Sequence, residues 1–394
     1  MKRSKLKDVS TLITKGTTPS SIGEAFSKGG VNFIKAESIS DSRFLNPKMF
    51  GHITESTHSK LKRSQLQTND LLVSIAGYLG RMGVVRATDL PANTNQAVAI
   101  VRVDPKKVNV EYLYYYFSQE SLQRYIAQQS AQSVQANLNL ELLGNLPFPD
   151  LDLGEQKSIG DFFSSIDSKI LNNKRKIEKL EEMVRLLYNY WFLQFEFPDV
   201  NGKPYKSSGG KMKWNETLGT DIPEDWDLKS LAELQPILTG KEDANFATKA
   251  GRYSFFTCGD EVLKCDSFVF NGKAVLLAGN GNFNIKLFEG KFNAYQRTYV
   301  LIPDEPKYYT IVYLALQDRV KSLANGSRGS IVKFITKGDI EGISIALPKN
   351  GFDKQYSQLN ELTSRIEKAS EEVRKLQEMK VFLLPMIMSG QVTV

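Results

Sequence analysis

Residues 159–191 read IGDFFSSIDSKILNNKRKIEKLEEMVRLLYNYW, and their apolar members decide the fold. Ile159, Phe163, Ile166, Ile170, Asn173, Ile177, Leu180, Val184, Leu187 and Trp191 step by alternating fours and threes. That spacing predicts a long helix with an unbroken heptad seam and one polar member, Asn173. A second seam lies near the other end of the chain: Leu359, Leu362, Ile366, Ala369, Val373, Leu376, Lys380 and Leu383, with Lys380 the polar member. Charged residues such as Lys174-Arg175-Lys176 and Glu371-Glu372 fill the outer faces, and Pro385 is expected to stop the second helix. At 1.5 Å per residue the helices are expected to be roughly 45–55 Å long. Each seam is narrower than the stripe of a helix lying on a globule. Two such stripes in one chain satisfy each other, and an antiparallel intramolecular pair is the natural geometry. The alternative is two amphipathic helices packed separately on their own domains.

Outward from the seams, the chain is built twice. Thr14-Lys15-Gly16 matches Leu238-Thr239-Gly240, and Val31–Ile34 matches Tyr253–Phe256. Asp70-Leu71-Leu72-Val73-Ser74-Ile75-Ala76-Gly77 is set against residues 272–279, and Asn95–Val98 against Tyr295–Thr298. Leu6-Lys7-Asp8-Val9 and Leu228-Lys229-Ser230-Leu231 open the halves; Leu146–Pro149 and Ile345–Pro348 close them. The offset drifts from near 222 to near 200, so an extra segment of about 20 residues is expected in the first half, within residues 38–70. Asn201–Gly210, rich in glycine and serine, reads as a linker. The expected division is a first domain at 1–150, a long helix at 151–196, a second domain at 197–350 and a second long helix at 351–394. The fold class is α+β, with two mixed α/β domains and a long antiparallel helix pair.

The 394 residues carry a net charge of +7 and a pI of about 9.0, which suits a polyanionic partner. The first 150 residues hold 18 Lys and Arg against 12 Asp and Glu; the rest hold 33 against 32. No apolar run approaches the roughly 20 residues of a membrane helix, and no signal-peptide core follows the basic start, so a cytoplasmic location and no membrane partner are expected. The only cysteines, Cys258 and Cys265, lie about 200 residues from the only histidines, His52 and His58, so no metal site is expected. The plain reading is two buried thiols and two surface imidazoles.

No active site is evident, so no catalytic residue and no cofactor are assigned. Gly240-Lys241 and Gly272-Lys273 lack the spacing and the Ser/Thr of a phosphate loop. Pro149-Asp150 before Glu155-Gln156-Lys157 superficially matches a metal-dependent nuclease pattern, but the residues sit at a helix start, where acidic side chains are favoured anyway. The glycine-rich stretches after the two apolar strands are better candidates, for DNA contact. Gly77-Tyr78-Leu79-Gly80-Arg81 holds one place, and Asn280, Asn282, Asn284 and Lys286 the equivalent one. Gln96, Gln296, Arg297 and Arg328 come from nearby segments. Asn and Gln read adenine edges, Arg and Lys guanine edges or phosphates. A single Gly/Asn loop is usually just a hairpin turn; recurrence in both halves is what singles these out.

At this point the chain resembles a known family. Leu146-Pro147-Phe148-Pro149 followed by Leu153-Gly154-Glu155-Gln156-Lys157-Ser158-Ile159 is similar to the lead-in to the central helix of Type I restriction-modification specificity subunits. Leu383-Leu384-Pro385 with Ser389-Gly390-Gln391-Val392 resembles their ending, and Ile222-Pro223-Glu224-Asp225-Trp226 the opening of their recognition domains. Leu347-Pro348 and Gln358–Glu361 match the lead-in more loosely, and the first domain lacks the opening before Leu6. The resemblance spans the chain. It implies a pseudo-two-fold symmetric, non-catalytic subunit whose two target-recognition domains, held apart by the helix pair, each bind half of an interrupted, asymmetric site in double-stranded DNA. Two modification (methyltransferase) subunits would dock on the helices, and restriction subunits would join the full complex. A stand-alone DNA-binding or scaffold protein is the alternative, and a divergent DNA methyltransferase or nuclease a further one. Co-purification with a larger methyltransferase separates the first two readings; methyl transfer by the chain alone would support the third.

Overall fold

The run Leu71–Ser74 is buried at all four positions, and its counterpart Phe270–Ala278 is buried from Ala274 onward. Strands apolar on both faces belong inside a sheet, not at its edge. The computed structural model describes residues 2–40, 42–131, 138–326 and 334–394. They fall into two units, Met1–Asn172 with Glu372–Val394, and Asn173–Glu371, so each unit takes part of both long helices.

The first unit runs β1 (Arg3–Lys5), α1 (Leu6–Val9), β2 (Ser10–Lys15), β3 (Val31–Ile34), β4 (Gly51–Ile53), α2 (Glu55–Lys60), β5 (Leu71–Ser74), β6 (Met82–Val84), β7 (Ala92–Thr94), β8 (Val98–Val103), α3 (Val110–Phe117), α4 (Glu120–Ala131), α5 (Leu140–Gly144) and β9 (Pro147–Pro149). Then α6 (Leu153–Tyr188) begins. One sheet is ordered β2-β8-β5-β6, a second β4-β3-β7 with β3 and β7 parallel, and β1 pairs with β9. The second unit holds β10 (Met212–Asn215), β11 (Thr220–Pro223), β12 (Trp226–Ser230), α7 (Leu231–Leu234), β13 (Ile237–Thr239), β14 (Tyr253–Phe256), β15 (Val262–Cys265), β16 (Phe270–Ala278), β17 (Ile285–Ala294), β18 (Thr298–Leu301), α8 (Tyr309–Gly326), α9 (Lys337–Glu341) and β19 (Ser344–Pro348), before α10 (Asp353–Met388). Its main sheet is ordered β13-β18-β16-β17-β14-β15.

The units share one plan. Where the first has the separate strands β6 and β7, the second has the single ten-residue β17, which joins what are two sheets in the first. Thirty-seven positions separate Ile34 from Leu71, against nineteen from Phe256 to Val275; β4 pairs with β3 as β15 does with β14, so the surplus lies on either side of β4 and includes α2.

Strand pairing corrects the matched registers. The Leu6 amide donates to the Leu146 carbonyl (3.1 Å) as the Leu231 amide does to that of Ile343 (2.9 Å), so the partner of Leu6–Val9 is Leu231–Leu234, three positions beyond the match made by similarity. Ser74 faces Val98 as Ala278 faces Thr298, which moves the glycine-loop match by two. β1 pairs with β9 as β12 does with β19, so the first half keeps this strand pair without the Ile-Pro-x-x-Trp motif.

The long helices pair in each unit. In the second, Leu180, Val184, Trp191 and Phe192 share one core with Leu359, Leu362 and Ile366, together with the sheet residues Val275 and Leu301. In the first, the Lys380 ammonium meets Asp167 and Lys169 meets Glu372 at 2.7 Å. Low-numbered residues of one helix thus face high-numbered residues of the other, which makes the pair antiparallel. Ile166, Ile170, Leu180, Val184, Leu362, Ile366 and Val373 are buried, while Asn173, Ile177, Leu376 and Lys380 are half-buried. Both helices also pack on the globular parts: Phe163 lies 5.3 Å from Tyr115.

Two expectations fail at the helix ends. The second helix runs through Pro385 to Met388. A proline lacks the N–H that would bond four residues back; here that carbonyl belongs to Val381, a residue 76% exposed. Leu384, not Leu383, is the buried member near that end. Trp191, the last member of the first seam, and Phe192 are core residues, 5% and 2% exposed. Of the thiols, Cys265 is buried and Cys258 half-buried, and both imidazoles are half-buried rather than at the surface. No described helix is long and apolar enough to cross a membrane, and no described group of His, Cys, Asp or Glu could hold a metal.

Candidate nucleic-acid interface

Gly16 and Gly240 explain why the candidate residues gather where they do. A Cβ on Gly16 would fall on the Thr94 carbonyl, and one on Gly240 on the Ala294 carbonyl. Only glycine lets the end of β2 or β13 pass so close to the neighbouring chain. The Gly16 amide donates to the Val98 carbonyl and the Gly240 amide to the Thr298 carbonyl, both at 3.2 Å. Each crossing brings three segments to one end of a sheet: the chain after the glycine, the turn before β8 or β18, and the hairpin tip between β5 and β6 or β16 and β17.

In the first unit that tip is Ile75–Arg81. The Ile75 amide donates to the Ala97 carbonyl (2.8 Å) and the Gly80 amide to that of Ser74 (2.9 Å). Gly77 and Gly80 take φ of 76° and 81°, a region that favours glycine. Tyr78 is 52% exposed, and the Arg81 guanidinium lies 4.5 Å from its ring centroid. Such a stack holds the arginine out in a set direction. Exposed Gln96 is bonded to the Thr18 hydroxyl. Arg63 donates to the Thr17 hydroxyl at 3.1 Å. The sequence reading missed Thr17, Thr18 and Arg63; the signal was their place just after Gly16 and within the extra segment.

The second unit repeats the arrangement with other chemistry. Gln296 donates to the Asp243 carboxylate at 2.7 Å, three residues past Gly240, much as Gln96 bonds two residues past Gly16. Arg297 is exposed, and its carbonyl accepts from the Gly279 amide (2.8 Å) and the Cys258 thiol (3.4 Å). Asn280 bridges to Phe334, which is 64% exposed. Arg328 lies outside the described residues.

Asn282, Asn284 and Lys286 form one cluster with the Thr257–Asp260 turn. Asn282 and Asn284 amides donate to Asp260 Oδ1 at 2.9 and 3.1 Å. The two N–H groups of Asn284 are shared among Asp260 Oδ1, the Cys258 carbonyl (2.9 Å) and Asn282 Oδ1 (2.8 Å). The Lys286 ammonium donates to the Thr257 carbonyl (3.3 Å), the Gly259 carbonyl and Asn284 Oδ1 (2.7 Å). Burial lowers the Lys286 pKa, with Asp260 opposing the shift.

The nuclease-like residues are placed otherwise. Asp150 pairs with Lys2 at 3.1 Å. Gln156 is buried, accepts from the Asn109 amide (2.9 Å) and donates to the Leu151 carbonyl (2.8 Å). Gln156 thus ties the first turn of α6 to the start of α3.

The family model for the Type I restriction modification DNA specificity domain matches residues 1–182 and 223–373. The chain is 39% identical over 180 residues to the EcoDI Type I restriction enzyme specificity subunit of Escherichia coli, covering 44% of this chain and 40% of that one. It therefore spans two-fifths of the length of that relative. To the MjaIX specificity subunit of Methanocaldococcus jannaschii it is 22% identical over 418 residues, covering 99% of this chain and 93% of that one. The solved S subunit of a Type I restriction-modification system from M. genitalium superposes with a TM-score of 0.68 at 15% identity, covering 98% and 95% of the two chains, a likeness of fold. The chain belongs to the family of the Type I restriction modification DNA specificity domain.

Proposed function

We propose that this chain reads an interrupted, asymmetric sequence in double-stranded DNA and carries no chemistry of its own. Each globular domain takes one half of the target. The observation that carries this is the duplicated sheet end: glycine crossings at Gly16 and Gly240 and glutamine latches at Gln96 and Gln296 match, while the tips differ. One tip offers a tyrosine-stacked arginine, the other an amide and carboxylate cluster. A common scaffold with different exposed chemistry suits two readers of different sequences, since base edges are told apart by donor and acceptor pattern. Tyr78, Arg81, Gln96, Asn280, Asn282, Asn284, Lys286, Gln296, Arg297 and Arg328 are the candidate interface. Two modification subunits dock on the paired helices, restriction subunits complete the assembly, and all of it is cytoplasmic. The test is the methylome of cells expressing the chain with a modification subunit. An interrupted motif with unlike halves is expected; an uninterrupted motif would contradict the reading.

A further inference from the structure

The cluster at the second tip faces outward with a chemistry its sequence does not suggest. An ammonium has three donors, and Lys286 places three on the Thr257 carbonyl, the Gly259 carbonyl and Asn284 Oδ1. Asn284 directs its amide group to the Cys258 carbonyl, Asp260 Oδ1 and Asn282 Oδ1. Two apparent DNA donors are thus engaged inside the protein. Asp260 is exposed, and its Oδ1 accepts from both asparagines. Its Oδ2 has no partner among the described residues.

We propose that Asp260 is a specificity-determining residue and that its Oδ2 accepts a hydrogen bond from a base's exocyclic amino group in the major groove. This inference rests on the DNA-reading function proposed above. Cytosine N4 and adenine N6 are the amino groups on that edge; guanine and thymine present acceptors there. A carboxylate accepts only, so it attracts the first pair and repels the second. The nearby Lys286 charge offsets that of Asp260, which eases the approach of a carboxylate to a polyanion. Lys286 acts through Asp260 and Asn284 as a positioning residue.

The test is selection of duplexes from a random library by the full chain co-expressed with a modification subunit, for the parent and for Asp260→Asn and Asp260→Ala. The parent is expected to enrich cytosine or adenine at one position that both variants alter; the enriched base says which. Asp260→Asn replaces an acceptor by a donor at constant shape, so the preference there should fall about tenfold and move toward guanine or thymine. Asp260→Ala should flatten the same position, and all others should keep their preference. Asp260→Asn with an unchanged preference, or with every position blurred alike, would overturn the role of Asp260. A parent that enriches no sequence would overturn instead the DNA-reading function beneath it.

Discussion

The Lys380 ammonium lies 2.6 and 2.8 Å from the two carboxylate oxygens of Asp167, joining residues 213 positions apart on the two long helices. The Tyr115 hydroxyl donates to the same carboxylate at 2.7 Å, and Lys380 lies 5.1 Å from the Tyr115 ring centroid. The second unit answers with Tyr309, Glu367 and Lys273: the hydroxyl donates to Glu367 at 2.6 Å, and Lys273 pairs with Glu367 at 3.4 Å. Asp167 and Glu367 stand at the same distance from the start of their helices. In both units a long-helix carboxylate is fastened to a tyrosine of the globular part.

Lys380→Met should therefore destabilise the chain beyond the loss of one surface ion pair. The Asp167 side chain is 9% exposed, and removing one partner of a buried pair costs about 3–5 kcal/mol. Replacing both, as Asp167→Leu with Lys380→Met, should recover much of the loss. Denaturant unfolding of the two single variants and the double variant measures the coupling; additive effects would show that the pair is not a unit.

The seam predicts a graded response along one helix. Val184 is 2% exposed and Leu186 60%. Val184→Asp buries an unpaired charge and should cost several kcal/mol, whereas Leu186→Asp should stay within about 0.5 kcal/mol. Thermal melting decides it, and equal losses would contradict the burial pattern.

Burial pushes Tyr115 and Tyr309 far above their ordinary pKa, each with a carboxylate beside it, and pushes Tyr313 up to about 12. The unfolded chain ionises these three tyrosines near pH 10, where the folded chain keeps them neutral. The stabilisation from neutral burial is thus complete below about pH 10 and is lost as the pH rises toward the folded-state values. Stability should fall above pH 10, and absorbance at 295 nm should show part of the 16 tyrosines ionising only as the chain unfolds. A titration in which all ionise before unfolding would contradict this.

The two thiols should separate cleanly. Cys265 is fully buried, and burial raises its pKa; Cys258 is half-buried at the edge of the candidate interface. Reactivity follows access and thiolate fraction, so one thiol per native chain should label. Specific DNA should slow labelling of Cys258, and labelling at an unchanged rate would place that edge away from the duplex.

The parts legible in the sequence were those carried by local period. The 3.5-residue seam marks both long helices, and the glycine before each turn marks the crossings. Register was misplaced by two or three residues because similar side chains do not record strand pairing: Leu228 resembles Leu6, but Leu231 holds its hydrogen bond. Long-range partners left no mark at all. Lys380 reads as a flaw in a seam until Asp167 is beside it. Lys286 reads as a free cation until the Thr257 and Gly259 carbonyls surround it. Pro385 reads as a stop, although the residue whose carbonyl loses its helical donor there, Val381, is exposed.

The central claim, one domain to one half-site, is tested most directly by base-resolved competition with the methyltransferase complex at fixed salt, comparing Arg81→Ala and Arg297→Ala. A lost base contact costs about 1–3 kcal/mol at its own position, and a lost phosphate contact weakens all sequences alike. The account predicts that Arg81→Ala relaxes preference in one half of the target and Arg297→Ala in the other, each leaving the opposite half intact. Both variants blurring the same half would contradict it.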